Sequence, residues 1–485
     1  MKNAKKDYVI RVMDSPLEVN VGAWNALLAL QTAGGVMNPF MRHEYLAAMH
    51  TSASASPKTG WTPRFITLWN GDELAAACAL YLKDHSYGEY VFDHAWANAY
   101  HQHGLPYYPK ALIAPPFTPV PGPRLLARNA AERLLLTKAV ISWCEDQKLS
   151  SLHLLFNNDD DVAACEEAGL MLRHTVQFHW TNMAPTLVAV RAVGDALPLS
   201  FEPGANFPRG GPSERGAPTL VAPRTSLPPE GANFPRGGPS ERGAPTLVAP
   251  RTTLPPEGAN FPRGGPSENC RFKSFDDFLM SLAQDKRKKI RQERKKVSDA
   301  GITFRWALGK DIANDDWDFF YRCYERTYYE HGNAPYLSRS FFKSMQTDMP
   351  ENWLMFIAEH GEGEKRQSVA TSLIAVSAID ASANSQNLTA YGRYWGALAR
   401  VDCLHFEACY YQPLQWCIEH GYHRFEGGAQ GEHKMARGLL PIAAHSAHWL
   451  AHPQFADAVA RFLEREGSGI NNYMEHLEGR SPFRV

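Results

Sequence analysis

The segment Gly427-Gly428-Ala429-Gln430-Gly431-Glu432-His433-Lys434 concentrates reactive side chains beside glycines. It follows a short strand expected at His423 to Glu426, so backbone N–H groups around Gly428, Gln430 and Gly431 can form a nest for an oxyanion or phosphate. Glu432 and His433 are candidate bases for a nucleophilic amine. Lys434 could steady an oxyanion or a donor phosphate. The spacing does not fit GxxxxGK[ST], so this is not a Walker A loop. The plain alternative is a tight turn carrying a solvated Glu-His-Lys.

A second concentration runs from Tyr87 to Lys110. Read as a long loop, it is dense enough in aromatic and titratable groups to wall a pocket. Tyr90, Asp93, Tyr100, His103, Tyr107 and Lys110 are its substrate-binding candidates; aromatic packing over a sheet is the competing reading. His101 and His103 lack an Asp, Glu or Cys at ligand spacing, so no metal site is expected. In Tyr391-Gly392-Arg393-Tyr394-Trp395, strand alternation predicts Tyr391, Arg393 and Trp395 on one face. Arg393 there suits anion or carboxylate recognition, or an ion pair with Glu407. His405 and Cys409, spaced i, i+4, could form a thiol and base pair, although their apolar surroundings favour an inert thiol. Lys286 to Lys296 (KRKKIRQERKK) carries eight basic residues and one acid in eleven. It is either a solvated helix or a patch for tRNA, a CoA phosphate or a nucleotide-linked precursor.

A hairpin signal marks the first half, RFITLW and LAAACALYLK around Asn70-Gly71-Asp72. The second half opens with a basic helix and an acidic, aromatic one around Trp317 to Tyr329, followed by a hairpin of WLMFIAEH and SVATSLIAVS around a charged turn. A helix over Ala130 to Gln147, a strand at Ser151, a short helix from Val162 and a strand from Leu170 to Trp180 complete the first half. A strand from Asn387 to Trp395, a helix from Leu404 to His420 and strands at His423 and Ala444 complete the second. The shared order predicts an α+β protein made of two diverged copies of one unit.

Between the halves lies a different polymer. Of 34 prolines, 17 fall within Ala184 to Glu268, where Gly204–Glu230 recurs as Gly231–Glu257 with one change, Ser226 to Thr253. One Phe, two Leu and one Val per 27 residues cannot offset the entropy of ordering. A disordered, partly polyproline-II insertion is expected. Net charge is −1, which excludes a polycationic nucleic-acid coater and an acidic tail. The eight cysteines form no CxxC pair, and no signal peptide or apolar span is seen, so a cytoplasmic protein with reduced thiols is expected.

Several segments resemble the FemAB-like branch of the GNAT acyltransferase superfamily, a predicted N-acyltransferase group linked to peptidoglycan biosynthesis or recognition. They are Leu80 to Lys110, VQFHWTN (Val176 to Asn182), Phe275 to Ile302, YGRYWG (Tyr391 to Gly396), LHFEACYYQ (Leu404 to Gln412) and RFEGGAQGEHKMARGLLP (Arg424 to Pro441). The resemblance implies two tandem GNAT-like domains, 1–183 and 269–485, around the 184–268 insertion. It implies transfer of an acyl or aminoacyl group to a small-molecule or peptide amine, with Lys434 the leading site residue. The donor, acyl-CoA or aminoacyl-tRNA, would be a co-substrate, with no tightly bound cofactor; tRNA could lie along Lys286–Lys296. The [QR]xxGx[GA] signature of acetyl-CoA binding is absent. A non-catalytic module binding a peptide, wall precursor or RNA between the halves is the alternative.

Overall fold

The computed structural model describes residues 8–32, 35–183, 271–377, 388–429 and 431–484. The repeat insertion and Gln430 lie outside the described residues.

The strands are β1 (Tyr8–Met13), β2 (Trp61–Asn70), β3 (Glu73–Lys83), β4 (Lys110–Ile113), β5 (Leu126–Ala127), β6 (Ser151–Asn157), β7 (Met171–Thr181), β8 (Ile302–Leu308), β9 (Trp353–His360), β10 (Gln367–Val376), β11 (Thr389–Ala397), β12 (Arg424–Ala429) and β13 (Leu440–Leu450). They join in one mixed, mostly antiparallel sheet, ordered β1-β2-β3-β4-β6-β13-β7-β12-β11-β10-β9-β8, with β5 on β3. The order is palindromic about the β13–β7 pair. Each half has one parallel pair, β4 with β6 and β11 with β12. Each parallel pair needs a long crossover. The helix Ala130–Asp146 lies within the first, and a helical run from Leu404 to Glu419 within the second. The middle turn of that run, Glu407–Tyr411, is π-wound just before Pro413, which has no N–H to donate.

The halves interlock. β13, from the second half, sits between β6 and β7, and β7, from the first, sits between β13 and β12. Asn182, after β7, accepts from Phe272 N at 3.1 Å, so the chain on either side of 184–270 meets in one hydrogen bond.

Alternation gives the sheet two buried faces. Ala77, Ala79 and Tyr81 of β3, with Trp353, Met355 and Ile357 of β9, face one large core. It lies under the helices Val21–Ala29, His43–Thr51, Asn314–Glu330 and Arg339–Asp348. Ala76, Cys78 and Leu80 face the helix Ala130–Asp146, and Leu354 and Phe356 face the helices Phe275–Ser281 and Gln412–Glu419. The α+β class and two-half plan read from the sequence are those of the structure. The Tyr87–Lys110 stretch differs: it contains a helix, His94–Gln102, and ends at the first residue of β4. No helix among the described residues is long and apolar enough to cross a membrane.

Candidate active site

The parallel pair β11–β12 holds register only over Thr389–Tyr391 against Arg424–Glu426. Beyond that both strands carry an extra residue. On β11, Leu373 pairs with Tyr394 but Ile374 with Gly392, so Arg393 is the bulged residue. On β12, the partners of β7 step from Glu426 to Ala429, which places an extra residue at Gly427-Gly428. Bulges bend strands and re-aim side chains. The glycines are required here: Gly428 has φ +79°, and a Cβ on Gly427 would lie 2.4 Å from Leu439 and 3.1 Å from the Phe178 carbonyl.

A cavity of about 240 Å3 occupies this wedge, lined by Tyr90, Phe117, Tyr324, Tyr328, Tyr336, Arg393, Tyr394, Gly427 and Gly428 among others. Arg393 donates from Nη2 to the Phe117 carbonyl at 2.8 Å, and its guanidinium carbon sits 5.3 Å from the Phe40 ring and 5.2 Å from that of Tyr394. Its Nε has no partner, and among the described residues no carboxylate lies in ion-pair range of it. Tyr90 (φ +65°) and Phe117 (φ +55°), both lining the wedge, belong to the small set of non-glycine residues in the left-handed region. Such strain persists where surrounding structure fixes it, often at functional sites.

The bulge changes the expected face of β11. Tyr391 and Arg393 both reach Phe40, but Trp395 lies on the opposite side against His405, because the extra residue shifts the alternation between them. Glu407 does not meet Arg393; it accepts from Arg294 Nε at 3.1 Å and from Gln412 at 2.8 Å.

The glycine-rich segment divides between two elements. Gly427 to Ala429 finish β12, Gly431 turns with φ +109°, and Glu432–Arg437 form a 3-10 helix. Lys434, 4% exposed, donates from Nζ to the Gly428 carbonyl at 3.0 Å, so it stands directly behind the wedge. Burial pulls its pKa down to about 8. His433 Nε2 lies 3.2 Å from the Tyr410 hydroxyl; burial, then Arg437 and Lys434, lower its pKa to about 4. Glu432 turns outward and accepts from Tyr473 at 2.8 Å and Arg480 at 3.1 Å. Arg437 fastens the 3-10 helix to the basic helix Gln284–Asp299, with Nη2 at 3.0 Å from both oxygens of Glu293.

Of the candidates from Tyr87–Lys110, Tyr90 alone lines the wedge. Lys110 donates to Ser86 at 2.8 Å, Glu89 at 2.7 Å and Asp93; Tyr107 donates to Asp93 at 2.6 Å. Asp93 and Lys110 are almost wholly enclosed. Tyr100 and His103 pack on Phe455 of the helix Pro453–Glu478. The described residues contain no metal-holding group of three or more His, Cys, Asp or Glu. Burial pushes the Cys409 thiol up to about 12, the opposite of an activated nucleophile.

Tyr324, Tyr328, Tyr336 and Phe117 were not among the sequence candidates. Tyr324 and Tyr328, at i, i+4 on the acidic aromatic helix, carried a signal that helical periodicity alone reads as core.

Fold and wedge together define a two-half α+β protein in which one parallel pair splays around a cavity. The model of the FemAB-like family, described as peptidoglycan biosynthesis/recognition, matches residues 16–186 and 267–485, and this chain belongs to that family. No curated protein sequence matches it. Similar solved structures include FemX (8% identity, TM-score 0.46, covering 93% of this chain and 100% of that one). Others are L-PGS from Bacillus licheniformis (8%, 0.43, 92% and 97%) and a tandem GNAT protein from the clavulanic acid biosynthesis pathway (9%, 0.40, 92% and 99%).

Proposed function

We propose that this chain is an N-acyltransferase that moves an acyl or aminoacyl group from an activated ester or thioester to an amine of a cell-wall precursor. Two units, 1–183 and 269–485, would build it; the family match, which passes over 187–266, supports that division. The acyl group would enter the wedge between β11 and β12. The observation that carries this is Arg393, a largely desolvated cation with no carboxylate in ion-pair range among the described residues, which lines a cavity walled by five tyrosines, Phe117 and bare glycine backbone. A buried charge without a partner is costly, and a carboxylate or developing oxyanion offsets that cost. Lys434 steadies the glycine turn through the Gly428 carbonyl and adds positive potential where the tetrahedral intermediate would form. Glu432 and His433 flank Lys434 at the outer edge of the site.

The donor is a polyanion in either chemistry, acyl-CoA or aminoacyl-tRNA. Lys288, Lys289, Arg291, Lys295 and Lys296 are exposed on the helix Gln284–Asp299 and offer phosphate contacts.

A melting screen of acyl-CoAs, aminoacyl-tRNAs and nucleotide-linked wall precursors tests this. A ligand at 100 times its Kd is expected to add about 2.7 kcal/mol of stability. Arg393→Met is expected to abolish that gain while folding normally. An unchanged gain in Arg393→Met contradicts the placement.

A further inference from the structure

A second cavity, of about 500 Å3, shares the β11–β12 pair with the wedge. Asn157 at the end of β6, Tyr391 of β11, Arg424 and Glu426 of β12, and His445 of β13 line it, and Pro121–Pro123 close one side. Two of these side chains hold unused hydrogen-bonding capacity. Asn157 is 3% exposed with neither its amide oxygen nor its nitrogen bonded, and Glu426 is 5% exposed with Oε2 unbonded. An unsatisfied buried polar group is destabilising, and two beside one cavity point to a ligand that satisfies them.

Charged and titratable groups surround Glu426 from every neighbouring element. Arg424 Nε on its own strand is 3.7 Å away and His179 Nδ1 of β7 is 3.8 Å away. Arg124, which follows the Pro121–Pro123 segment, and Tyr391 of β11 also act on or feel its charge. Burial is the largest influence, ahead of the two arginines, and pushes the Glu426 carboxyl up to about 7. A carboxylate so tuned accepts protons near neutral pH.

Position supplies the rest. Tyr391 and Glu426 are register partners, and the residues that follow them, Gly392 and Gly427, line the wedge. Phe117 and Pro119 border the wedge while Pro121–Pro123 border the second cavity, so one proline-rich strap partitions the two. Both cavities border the point where the β11–β12 register ends.

We propose that this second cavity is the acceptor-amine site and that Glu426 takes the proton from the attacking nitrogen, an inference that rests on the acyl-transfer reading. The lone pair of the neutral amine forms the new N–C bond at the acyl carbonyl held in the wedge. The bond from that carbon to the donor's sulfur or oxygen breaks, and the leaving atom keeps the electron pair. The N–H proton passes to the Glu426 carboxylate, and from there to the leaving atom or to water. Asn157 offers a donor and an acceptor to the polar group beside the amine.

The test uses the full chain, glycinamide as the amine and acetyl and glycyl thioesters of N-acetylcysteamine as donors. Binding of glycinamide, read by saturation-transfer NMR, is expected to weaken at least tenfold in Glu426→Gln and in Asn157→Leu. For transfer, kcat/KM is expected to fall about 10²–10⁴-fold in Glu426→Gln, with loss of an acidic limb near pH 7. Glu426→Asp is expected to keep the limb at a lower rate. Wild-type-like binding, or an intact acidic limb, in Glu426→Gln overturns the proposal, as does failure of the wild type to bind glycinamide. If no donor is turned over by the wild type while Glu426→Gln loses glycinamide, the amine site stands and the acyl-transfer reading falls.

Discussion

Lys434 stands behind the wedge on a short 3-10 helix, Glu432–Arg437, with no side-chain cap, so something else must hold that helix. Arg437 does. It is 2% exposed, donates from Nη2 to both Glu293 oxygens at 3.0 Å and from Nη1 to the His433 carbonyl at 2.7 Å, and lies 3.5 Å over the Phe406 ring. Tyr411 donates to the same carboxylate. At that separation and an effective dielectric of ~20, the charge attraction is about 5 kcal/mol before desolvation. Removing one partner strands the other charge in the core. Arg437→Met or Glu293→Leu alone is therefore expected to cost about 3–5 kcal/mol, whereas Arg437→Met/Glu293→Leu removes both charges and should cost well under the sum. The coupling is expected to be about 1.5–3 kcal/mol. Urea midpoints followed by tryptophan emission, with acyl transfer measured on the same samples, read this out. Single variants within ~0.5 kcal/mol of wild type, or a strictly additive double variant, would refute the anchoring role.

Other outcomes can be checked separately. Gly396→Ala would put a Cβ 2.3 Å from the Cys323 carbonyl, so the overpacked β11–helix contact is expected to cost about 1–3 kcal/mol in thermal or urea unfolding. Deleting Ala184 to Glu268 leaves Asn269 and Cys270 to close a short turn beside the Asn182–Phe272 hydrogen bond. Replacing a connection of roughly 90 residues by one of about four is expected to gain on the order of 2–3 kcal/mol in chain-closure entropy, and failure to fold would contradict it. Glu426 has a raised pKa, about 7 against 4.5, so its stabilising contribution is complete below pH ~4.5 and is lost as pH rises through 7. Glu426→Gln should accordingly gain in melting temperature relative to wild type between pH 5 and 8.5; a pH-independent difference rejects the shift. With an aminoacyl-tRNA donor, Lys288→Glu/Lys289→Glu is expected to weaken donor binding and flatten its salt dependence, measured by filter binding from 50 to 200 mM salt.

Much of the fold was legible because it is written in local pattern. The Asn70-Gly71-Asp72 turn between alternating apolar runs marked the β2–β3 hairpin, and leucine spacing marked the helix Ala130–Asp146. The exchange of β7 and β13 was not legible, since periodicity identifies strands but not their partners. The same limit applies to the site. Tyr90, Arg393 and Gly428 stood out by type and do line one cavity, with Lys434 bonded behind it. Asp93, Tyr107 and Lys110 carry equally suggestive chemistry but spend it on one another in a sealed cluster. Glu426 drew no notice, because a lone acid on a short strand becomes unusual only once its burial is known. The alternation argument for Tyr391, Arg393 and Trp395 failed at the bulge, a backbone event that the side-chain pattern does not encode.

The most direct test of acyl transfer is a mass-spectrometric search for new amide bonds. The full chain is incubated with acyl-CoA thioesters or aminoacyl-tRNAs and amine-bearing wall precursors, alongside Lys434→Ala and Arg393→Met. The wild type is expected to form an amide, and each variant, with an unchanged melting profile, to lose at least about 10²-fold in rate. Absence of amide with every donor, or full activity in Lys434→Ala, would contradict transfer at this wedge.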